Sequence, residues 1–295
     1  MWTIRRTPPD STPPSAPPDP PEVWRTAAGP VELRSPLFLG ILNITPDSMS
    51  DGGRFLEPGP ALAQARSLVA QGAGILDLGA ESTRPGAGAV PPEAEWARMA
   101  PVLAAIRREL PELPLSLDTR RAGVADLGLR AGAAVINDVT GFHDPAMLRL
   151  ARDRDCGLIA MRSLLSGGAL VMPPYDQPEP GQPEAAIRQL AEVRDRLLGA
   201  GIAPERILLD PGFGFGTSYA GDLALWNALP GLPEALDWPA QRFCIGISRK
   251  RFLAWRAGTP DLPAARRDAL TAQAHREALA LGYRVFRTHA IQEDA

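Results

Sequence analysis

From residue 37 onward the chain alternates short apolar runs with longer segments of helical period, and this alternation constrains the fold more than any other feature. The runs are rich in Ile, Leu and Val, which is typical of parallel strands buried on both faces. Eight strand–helix units over about 250 residues match a (β/α)₈ TIM barrel in one domain. A doubly wound open sheet is the alternative that the pattern alone leaves open.

The boundaries of the predicted elements follow from the same pattern. The predicted strands are 37–45, 74–80, 113–119, 134–140, 157–163, 206–214, 243–248 and 285–290. The predicted helices include 60–71, 93–110, 121–131, 184–200 and 264–280. Residues 1–22 contain eight prolines, which predicts an extended or disordered tail. Ala28-Gly29-Pro30 predicts a short hairpin within 23–35, at the start of a barrel domain over 23–295.

Charge and hydropathy exclude several classes of function. A net charge of −3 and a pI near 5.7 argue against binding a nucleic-acid backbone. No apolar stretch reaches the roughly 18 residues that a membrane span needs, and the N-terminus lacks the apolar core of a secretory signal. Cys156 and Cys244 lie in apolar runs, which predicts buried, reduced thiols, a cytoplasmic location and no structural zinc site.

Polar residues end every predicted strand. In a barrel these ends meet at one mouth, where barrel enzymes carry their chemistry. A polar residue there can be a helix cap, but a carboxylate inside a strand, such as Asp77, Asp118 or Asp210, needs a cation or a ligand donor facing it. The polar ends are Asn43, Thr45, Asp77, Glu81, Asp118, Thr119, Asn137, Asp138, Arg162, Ser163, Asp210, Ser248, Lys250, Arg287 and His289.

Lys250 is the only lysine, and the other 30 cationic side chains are arginine. It directly follows the seventh apolar run and Ser248-Arg249. Lysine carries a compact ammonium on a flexible stem, whereas arginine carries a wide planar fork. This position therefore predicts a small pocket that needs one movable ammonium, with a chance placement as the alternative.

Several motifs together resemble the dihydropteroate synthase family. They are GILNITPDSMSDGG at 40–53, GAESTRPG at 79–86, SLDT at 116–119, NDVTG at 137–141, LDPGFGFG at 209–216, SRK at 248–250 and RTH at 287–289. The resemblance runs in order from about residue 30 to the C-terminus. It implies an enzyme that joins 4-aminobenzoate to 6-hydroxymethyl-7,8-dihydropterin diphosphate, releasing diphosphate, with Mg²⁺ as cofactor. It also implies a homodimer and small-molecule substrates.

The chemistry of a pterin suits the residues at the mouth. Asp118 and Asp210 can accept hydrogen bonds from the adjacent N–H groups of the ring edge, and Asn137 can both donate and accept. Lys250, with Ser248 beside it, can donate to the pterin carbonyl or a ring nitrogen. The resemblance adds Phe215 to this pterin site and assigns catalytic roles to Lys250 and Asp118.

The remaining predicted roles concern the leaving group and the second substrate. The cations for the diphosphate are Arg84, Arg287 and His289, and Asn43 is the predicted magnesium ligand. The resemblance makes segments 45–53 and 82–90 mobile loops. In these loops Asp47 is a catalytic carboxylate that stabilises a pterin-methylene cation. Thr83 and Pro85 line the aminobenzoate slot.

Four positions depart from the family pattern. Thr217 stands where lysine is usual, Met49 where phenylalanine is usual, and Ala290 where aspartate is common. Arg162 interrupts what is usually a Met-His-Met-like run, and it could contact phosphate or pair with an aspartate. These departures leave a non-catalytic pterin-binding paralogue as the alternative function. A corrinoid-linked methyltransferase fits less well, since a methyl donor needs no cationic clamp for diphosphate.

Overall fold

The computed structural model describes residues 22–44, 58–81, 90–167, 169–171 and 183–292. The strands of this part of the chain are β1 Val23–Thr26, β2 Gly29–Glu32, β3 Leu37–Asn43, β4 Ala73–Gly79, β5 Leu115–Asp118, β6 Val135–Asp138, β7 Gly157–Met161, β8 Leu165–Ser166, β9 Ala169–Leu170, β10 Ile207–Asp210, β11 Cys244–Ile245 and β12 Val285–Thr288. Its helices are α1 Pro58–Ala70, α2 Pro92–Glu109, α3 Ala122–Arg130, α4 Pro145–Asp153, α5 Pro183–Gly199, α6 Tyr219–Ala228, α7 Leu232–Leu236, α8 Arg251–Arg256 and α9 Asp268–Ala280.

Eight parallel strands form a closed barrel. Their order is β10-β7-β6-β5-β4-β3-β12-β11, and every neighbouring pair is parallel. A parallel bridge between Leu209 and Phe243 brings the two outer strands, β10 and β11, together. The predicted (β/α)₈ barrel is confirmed, and the doubly wound open sheet is wrong, because an open sheet has two unpaired edges.

Each predicted strand is present, but most end earlier than predicted. The run at 206–214 stops at Asp210, because Pro211 has no N–H to donate and the following Gly212 has φ = +72°. The predicted helix at 264–280 begins only at Asp268, after a 3₁₀ turn at Ala264–Arg266. The short β8–β9 hairpin was not predicted.

The predicted N-terminal hairpin is confirmed and covers the bottom of the barrel. β1 and β2 pair antiparallel, with Ala27 and Ala28 as the two-residue turn. Trp24 is fully buried, and its indole N–H donates to the Arg206 carbonyl at 3.0 Å. A Cβ on Gly157, the first residue of β7, would lie 3.0 Å from the indole. The hairpin therefore seals the end of the barrel that lies opposite the mouth.

Residues 1–21 of the predicted tail lie outside the described residues. Glu22, the last residue of that predicted segment, is tied to the barrel. Its carboxylate accepts from Arg242 at 2.5 Å, and its carbonyl accepts from the Leu33 N–H at 2.9 Å. Both cysteines are buried free thiols, as expected. No helix within the described ranges is long and apolar enough to cross a membrane.

The buried indole of Trp24 yields a prediction about stability. Trp24→Ala should lower the free energy of unfolding by about 3–5 kcal/mol, because it empties the bottom of the barrel interior. Urea unfolding monitored by far-UV circular dichroism measures this change. Trp255→Ala is the matched control, since Trp255 is 41% exposed and stacks on Tyr219. It should cost about 1 kcal/mol. Equal losses in both variants would contradict the sealing role of the hairpin.

Candidate active site

The barrel interior changes from apolar to polar within two residues along four of the eight strands. One buried cluster includes Trp24 and interior residues from seven of the eight barrel strands: Leu39, Ile75, Val135, Ile159, Leu208, Cys244 and Val285. Ser116 occupies the buried position on β5. Because side chains alternate between faces, the residue two positions later points into the same interior, one step closer to the mouth. These second positions are Ile41, Asp77, Asp118, Asn137, Met161, Asp210, Gly246 and Arg287.

Arg287 joins two carboxylates at the centre of this polar layer. Its Nε donates to Asp77 Oδ2 and one Nη donates to Asp118 Oδ2, both at 2.6 Å. The Asn137 side-chain amide also donates to Asp77 Oδ2, at 3.1 Å. Asp77 is fully buried, whereas the Asp118 side chain keeps 16% of its surface exposed at the mouth. The Arg287 guanidinium, 22% exposed, and the Asp118 carboxylate are thus the members of this cluster that reach the surface of the mouth.

Burial raises the pKa values of two of these carboxylates towards 7. Burial raises the pKa of Asp118 to about 7, against the Arg287 charge that lowers it, and the nearby Asp77 charge raises it further. Burial likewise raises the pKa of Asp210 to about 6, although its carboxylate accepts from the Gly212 N–H at 2.8 Å. Both groups therefore gain from a ligand that donates hydrogen bonds to the charged form.

Two glycines leave room for these carboxylates. A Cβ on Gly246 would stand 2.9 Å from Asp210 Oδ2, and one on Gly79 would stand 3.3 Å from Asp118 Cβ. In real structures Cβ atoms almost never approach another heavy atom within 3.0 Å. A larger residue at 246 would therefore displace the Asp210 carboxylate from its place at the mouth.

The turn after β11 aims Lys250 into the mouth. Arg249 takes a left-handed backbone conformation, φ = +58°, and its guanidinium holds Asp268 through two bonds of 2.7 and 2.9 Å. This anchored turn places Ser248 and Lys250 on the inner side. The Lys250 ammonium lies 4.3 Å from the centroid of the Phe215 ring, a cation–π contact. Burial lowers the pKa of Lys250 to about 8, so the group remains mostly charged at neutral pH.

His289 lies at the mouth as predicted, but its predicted role as a cation needs correction. Burial and the nearby charges of Arg287, Arg249 and Lys250 lower its pKa to about 3, so the ring is neutral at pH 7. Its Nδ1 lies 3.0 Å from the Ser248 hydroxyl, which also accepts from the His289 backbone N–H. This arrangement favours the tautomer with the proton on Nε2. His289 can then contribute a hydrogen-bond donor rather than a charge.

Asp138 was among the polar strand ends, yet the structure uses it to hold a turn. Its carboxylate accepts from the N–H and hydroxyl of Thr140 at 2.8 and 2.7 Å, and from the Phe142 N–H at 3.0 Å. The residue is fully buried, and burial raises its pKa to about 6. Its neighbour Asn137 takes the interior position instead, since adjacent strand residues face opposite sides.

Glu81 is also engaged in holding the backbone. Its carboxylate accepts from Arg120 and Arg121 at 2.9–3.1 Å and from the Val90 N–H at 3.2 Å. Arg121 also binds the buried Glu95 at 2.8 Å. These contacts anchor the chain on both sides of 82–89.

Four predicted site residues lie outside the described residues: Asp47, Thr83, Arg84 and Pro85. Asn43, the predicted metal ligand, ends β3 at the mouth and is half-buried, in register with Gly79. Asp77 received no predicted role beyond the expectation of a buried partner, and the structure shows that the partner is Arg287. The pairing could not be read from sequence, because the two residues are 210 positions apart.

Comparison with known proteins places these residues in a family. A sequence profile described as "Pterin binding enzyme" matches residues 39–289. The dihydropteroate synthase of Neisseria meningitidis serogroup C is 38% identical over 276 residues, covering 92% of this chain and 94% of that protein. The chain belongs to the pterin-binding enzyme family.

Solved structures agree with this membership. The Xanthomonas albilineans dihydropteroate synthase with 4-aminobenzoic acid is 35% identical, with a TM-score of 0.80 and coverage of 92% of this chain and 94% of that one. The Burkholderia cenocepacia dihydropteroate synthase complexed with 7,8-dihydropteroate is 34% identical, with a TM-score of 0.76 and coverage of 92% of both chains. The pterin-binding enzyme described here therefore shares its fold with proteins solved with these molecules.

Two departures of this pterin-binding enzyme from its family now have a structural account. The guanidinium of Arg162 donates to the carbonyls of Pro211 and Gly212 at 3.0 and 2.9 Å, and no aspartate among the described residues accepts a hydrogen bond from it. Thr217 donates to the buried Asp222 at 2.5 Å, which holds the same loop. Asp222 was missed, because helix α6 was not among the predicted elements.

The raised pKa of Asp118 predicts how stability depends on pH. Its folded value, about 7, lies above the ordinary 3.8, so between these values the folded state binds the proton more tightly than the unfolded state does. The contribution of Asp118 to the free energy of unfolding therefore decreases as pH rises from about 4 to about 7. Asp118→Asn removes the titration, so the stability of the variant relative to wild type should increase over that range.

Urea unfolding at pH 5, 6, 7 and 8 measures the difference for Asp118→Asn. Asp126→Asn is the control, because Arg130 and Arg154 hold the pKa of Asp126 below its usual value. Its difference from wild type should stay constant between pH 5 and 8. A constant difference for Asp118→Asn as well would show that Asp118 is ionised throughout and would contradict the raised pKa.

Proposed function

We propose that this chain is a dihydropteroate synthase of folate biosynthesis, a transferase that condenses 6-hydroxymethyl-7,8-dihydropterin diphosphate with 4-aminobenzoate. The products are 7,8-dihydropteroate and diphosphate. The observation that carries the proposal is the group of polar residues at the mouth, in a chain that belongs to the pterin-binding enzyme family. The residues that lie around Arg287 there are Asp118, Asn137, Asp210 and Lys250.

The polar layer is complementary to the edge of a pterin ring. That edge offers adjacent N–H donors and a carbonyl, and carboxylates pair strongly with such a guanidine-like group. Asp118 and Asp210 accept these donors, and Asn137 can donate and accept. The donors replace the water that burial removes from the carboxylates, so binding favours their ionised forms.

Lys250 and Phe215 form the second wall of the pterin site. Phe215 supplies an apolar ring, and the ammonium held against it donates to the pterin carbonyl or a ring nitrogen. Because the pKa of Lys250 is about 8, the ammonium form predominates at neutral pH. An arginine would keep the charge but could not fit its planar fork into the same space.

The diphosphate leaves from the same mouth. Arg287 is occupied by two carboxylates through Nε and one Nη, which leaves the other Nη for the leaving group. The Nε2–H of His289 supplies a neutral donor. The predicted Arg84 lies outside the described residues and remains the proposed second cation. Neutral donors and cations together stabilise the charge that develops as the carbon–oxygen bond breaks.

Asn43 is the residue that would hold Mg²⁺. The described residues contain no group of three His, Cys, Asp or Glu side chains that could cage a metal ion. A single half-buried amide oxygen nevertheless fits magnesium, which usually takes one or two protein ligands and completes its shell with phosphate oxygens and water. When bound, the ion neutralises the diphosphate and so improves it as a leaving group.

Catalysis then depends on position and charge more than on proton transfer. Departure of diphosphate leaves a methylene cation that the pterin ring stabilises, the neutral amine of 4-aminobenzoate attacks it, and the new C–N bond is left neutral when the amine releases one proton to water. Asp47, Thr83 and Pro85 keep the roles that the family resemblance implies. Asp47 stabilises the cation, and Thr83 and Pro85 line the aminobenzoate slot.

We further propose a homodimer in the cytoplasm. Its two reduced thiols support that location, and sedimentation equilibrium tests the dimer.

An activity assay tests the proposed function. Purified protein is incubated with the pterin diphosphate, Mg²⁺ and 4-aminobenzoate, and released diphosphate is measured. Release should depend on aminobenzoate, and EDTA should slow it strongly. A protein that binds the pterin but releases no diphosphate would be the non-catalytic paralogue. A rate that is unchanged by EDTA would remove Mg²⁺ and the role of Asn43 from the proposal.

Lys250→Arg tests the need for an ammonium. In wild type, kcat/KM for the pterin diphosphate should fall below about pH 7 as Asp118 is protonated, and above about pH 8 as Lys250 loses its proton. The variant should turn over about 100-fold more slowly, because the fork misplaces the substrate. It should also lack the alkaline decline, since arginine stays charged. Arg251→Lys, an exposed neighbour, is the control. Wild-type rates in Lys250→Arg would contradict the ammonium's role.

A further inference from the structure

Arg162 is a buried cation that the proposed chemistry does not use. It directly follows β7 at the mouth side of the barrel, and only 2% of its surface is exposed. Its Nε donates to the Pro211 carbonyl at 3.0 Å, one Nη donates to the Gly212 carbonyl at 2.9 Å, and the other Nη donates to Gln189 at 3.3 Å. A buried arginine with this many protein acceptors is directed at the backbone, away from any ligand at the mouth.

The segment after β7 supports the 210–217 loop, which joins β10 to α6. The Arg162 N–H donates to the Asp210 carbonyl at 3.0 Å. A Cβ on Gly212 would stand 1.9 Å from the Arg162 carbonyl, and one on Gly216 would stand 2.3 Å from Leu164 Cβ. Both glycines also have positive φ angles, near +70°. The loop can therefore lie on residues 162–164 only with glycine at these positions.

Asp222 also holds this loop. Its carboxylate accepts from the Gly214 N–H at 2.8 Å and from the Thr217 hydroxyl at 2.5 Å. Arg162 binds two carbonyls of the loop while Asp222 binds an N–H and a hydroxyl. A cationic donor and an anionic acceptor thus both hold this short loop.

The clamped loop carries two groups of the pterin site. Asp210 begins it, and Phe215 contacts the Lys250 ammonium at 4.3 Å from the ring centroid. The positive charge of Arg162 also opposes the burial that raises the pKa of Asp210. Displacement of the loop would therefore move a pterin-binding carboxylate and the apolar wall together.

We propose that Arg162 is a positioning residue for pterin binding. By holding the Pro211 and Gly212 carbonyls, it sets Asp210 and Phe215 at the spacing that the pterin ring needs. The inference rests on the proposed function, because it assigns the loop to the pterin site. It predicts weaker binding of the pterin diphosphate and a change in the pH dependence of that binding.

Arg162→Met removes the fork while keeping a long side chain. The affinity for the pterin diphosphate, measured by calorimetry, should weaken at least about tenfold, the scale of losing charge-assisted hydrogen bonds. The decline of pterin affinity at low pH should also move to higher pH, because Asp210 loses a stabilising cation. A purely structural role would not produce this shift.

Arg206→Met is the matched control. Arg206 is also buried, and its guanidinium donates to the carbonyls of Cys156, Ala151 and Arg154. It lies at the opposite end of the barrel, directly before β10. This variant should lose stability in urea unfolding but keep wild-type pterin affinity and its pH dependence.

The following results would contradict the positioning role proposed for Arg162. It fails if Arg162→Met keeps wild-type pterin affinity, or if Arg206→Met loses as much affinity as Arg162→Met. If Arg162→Met does not fold, Arg162→Lys decides, since it keeps the charge but cannot span two carbonyls. It should bind the pterin diphosphate at least about threefold more weakly, and unchanged binding would refute the fork's role. If wild type itself does not bind the pterin diphosphate, the proposed function fails instead.

Discussion

The buried ion pairs of Arg287 with Asp77 and Asp118 are the interaction on which the mouth of the barrel depends. They join β12 to β4 and β5 across the interior at 2.6 Å. Without the guanidinium, two carboxylates would face each other in a water-poor space, and such unpaired buried charges are strongly destabilising. With it, both carboxylates are paired with one cation, and part of the Asp118 side chain stays exposed at the mouth. The ion pairs therefore permit a polar layer directly above an apolar one.

The buried carboxylates at the mouth lower the stability of the folded protein but provide acceptors for a ligand. The raised pKa values of Asp118 and Asp210 mean that keeping both groups charged destabilises the empty barrel at neutral pH. The apolar layer beneath and the hairpin around Trp24 offset that loss through burial. In the proposed function, a pterin edge donates to these carboxylates and so completes hydrogen bonding that the protein alone leaves incomplete.

Much of the fold and part of the site could be predicted from the sequence. The eight strands were recognisable because apolar runs of strand length alternate with helical periods, which is a local property. Strand ends were less accurate, as at Asp210, where Pro211 and Gly212 stop the ladder. Asp138 and Glu81 looked like mouth residues because they end strands, but the turn and two arginines bind them instead. His289 lies where predicted, yet burial makes it neutral.

The sequence by itself determined the (β/α)₈ order, the polar residues at the strand ends and the singular position of Lys250, because each is written in a short stretch of residues. Only the tertiary structure decided which polar ends meet. Arg287 lies 210 and 169 positions from its two carboxylates, and Arg162 lies 49 and 50 positions from the carbonyls it holds. Such contacts depend on barrel closure and on the packing of one loop against another. Closure and loop packing are set by the whole chain, and no local pattern encodes them.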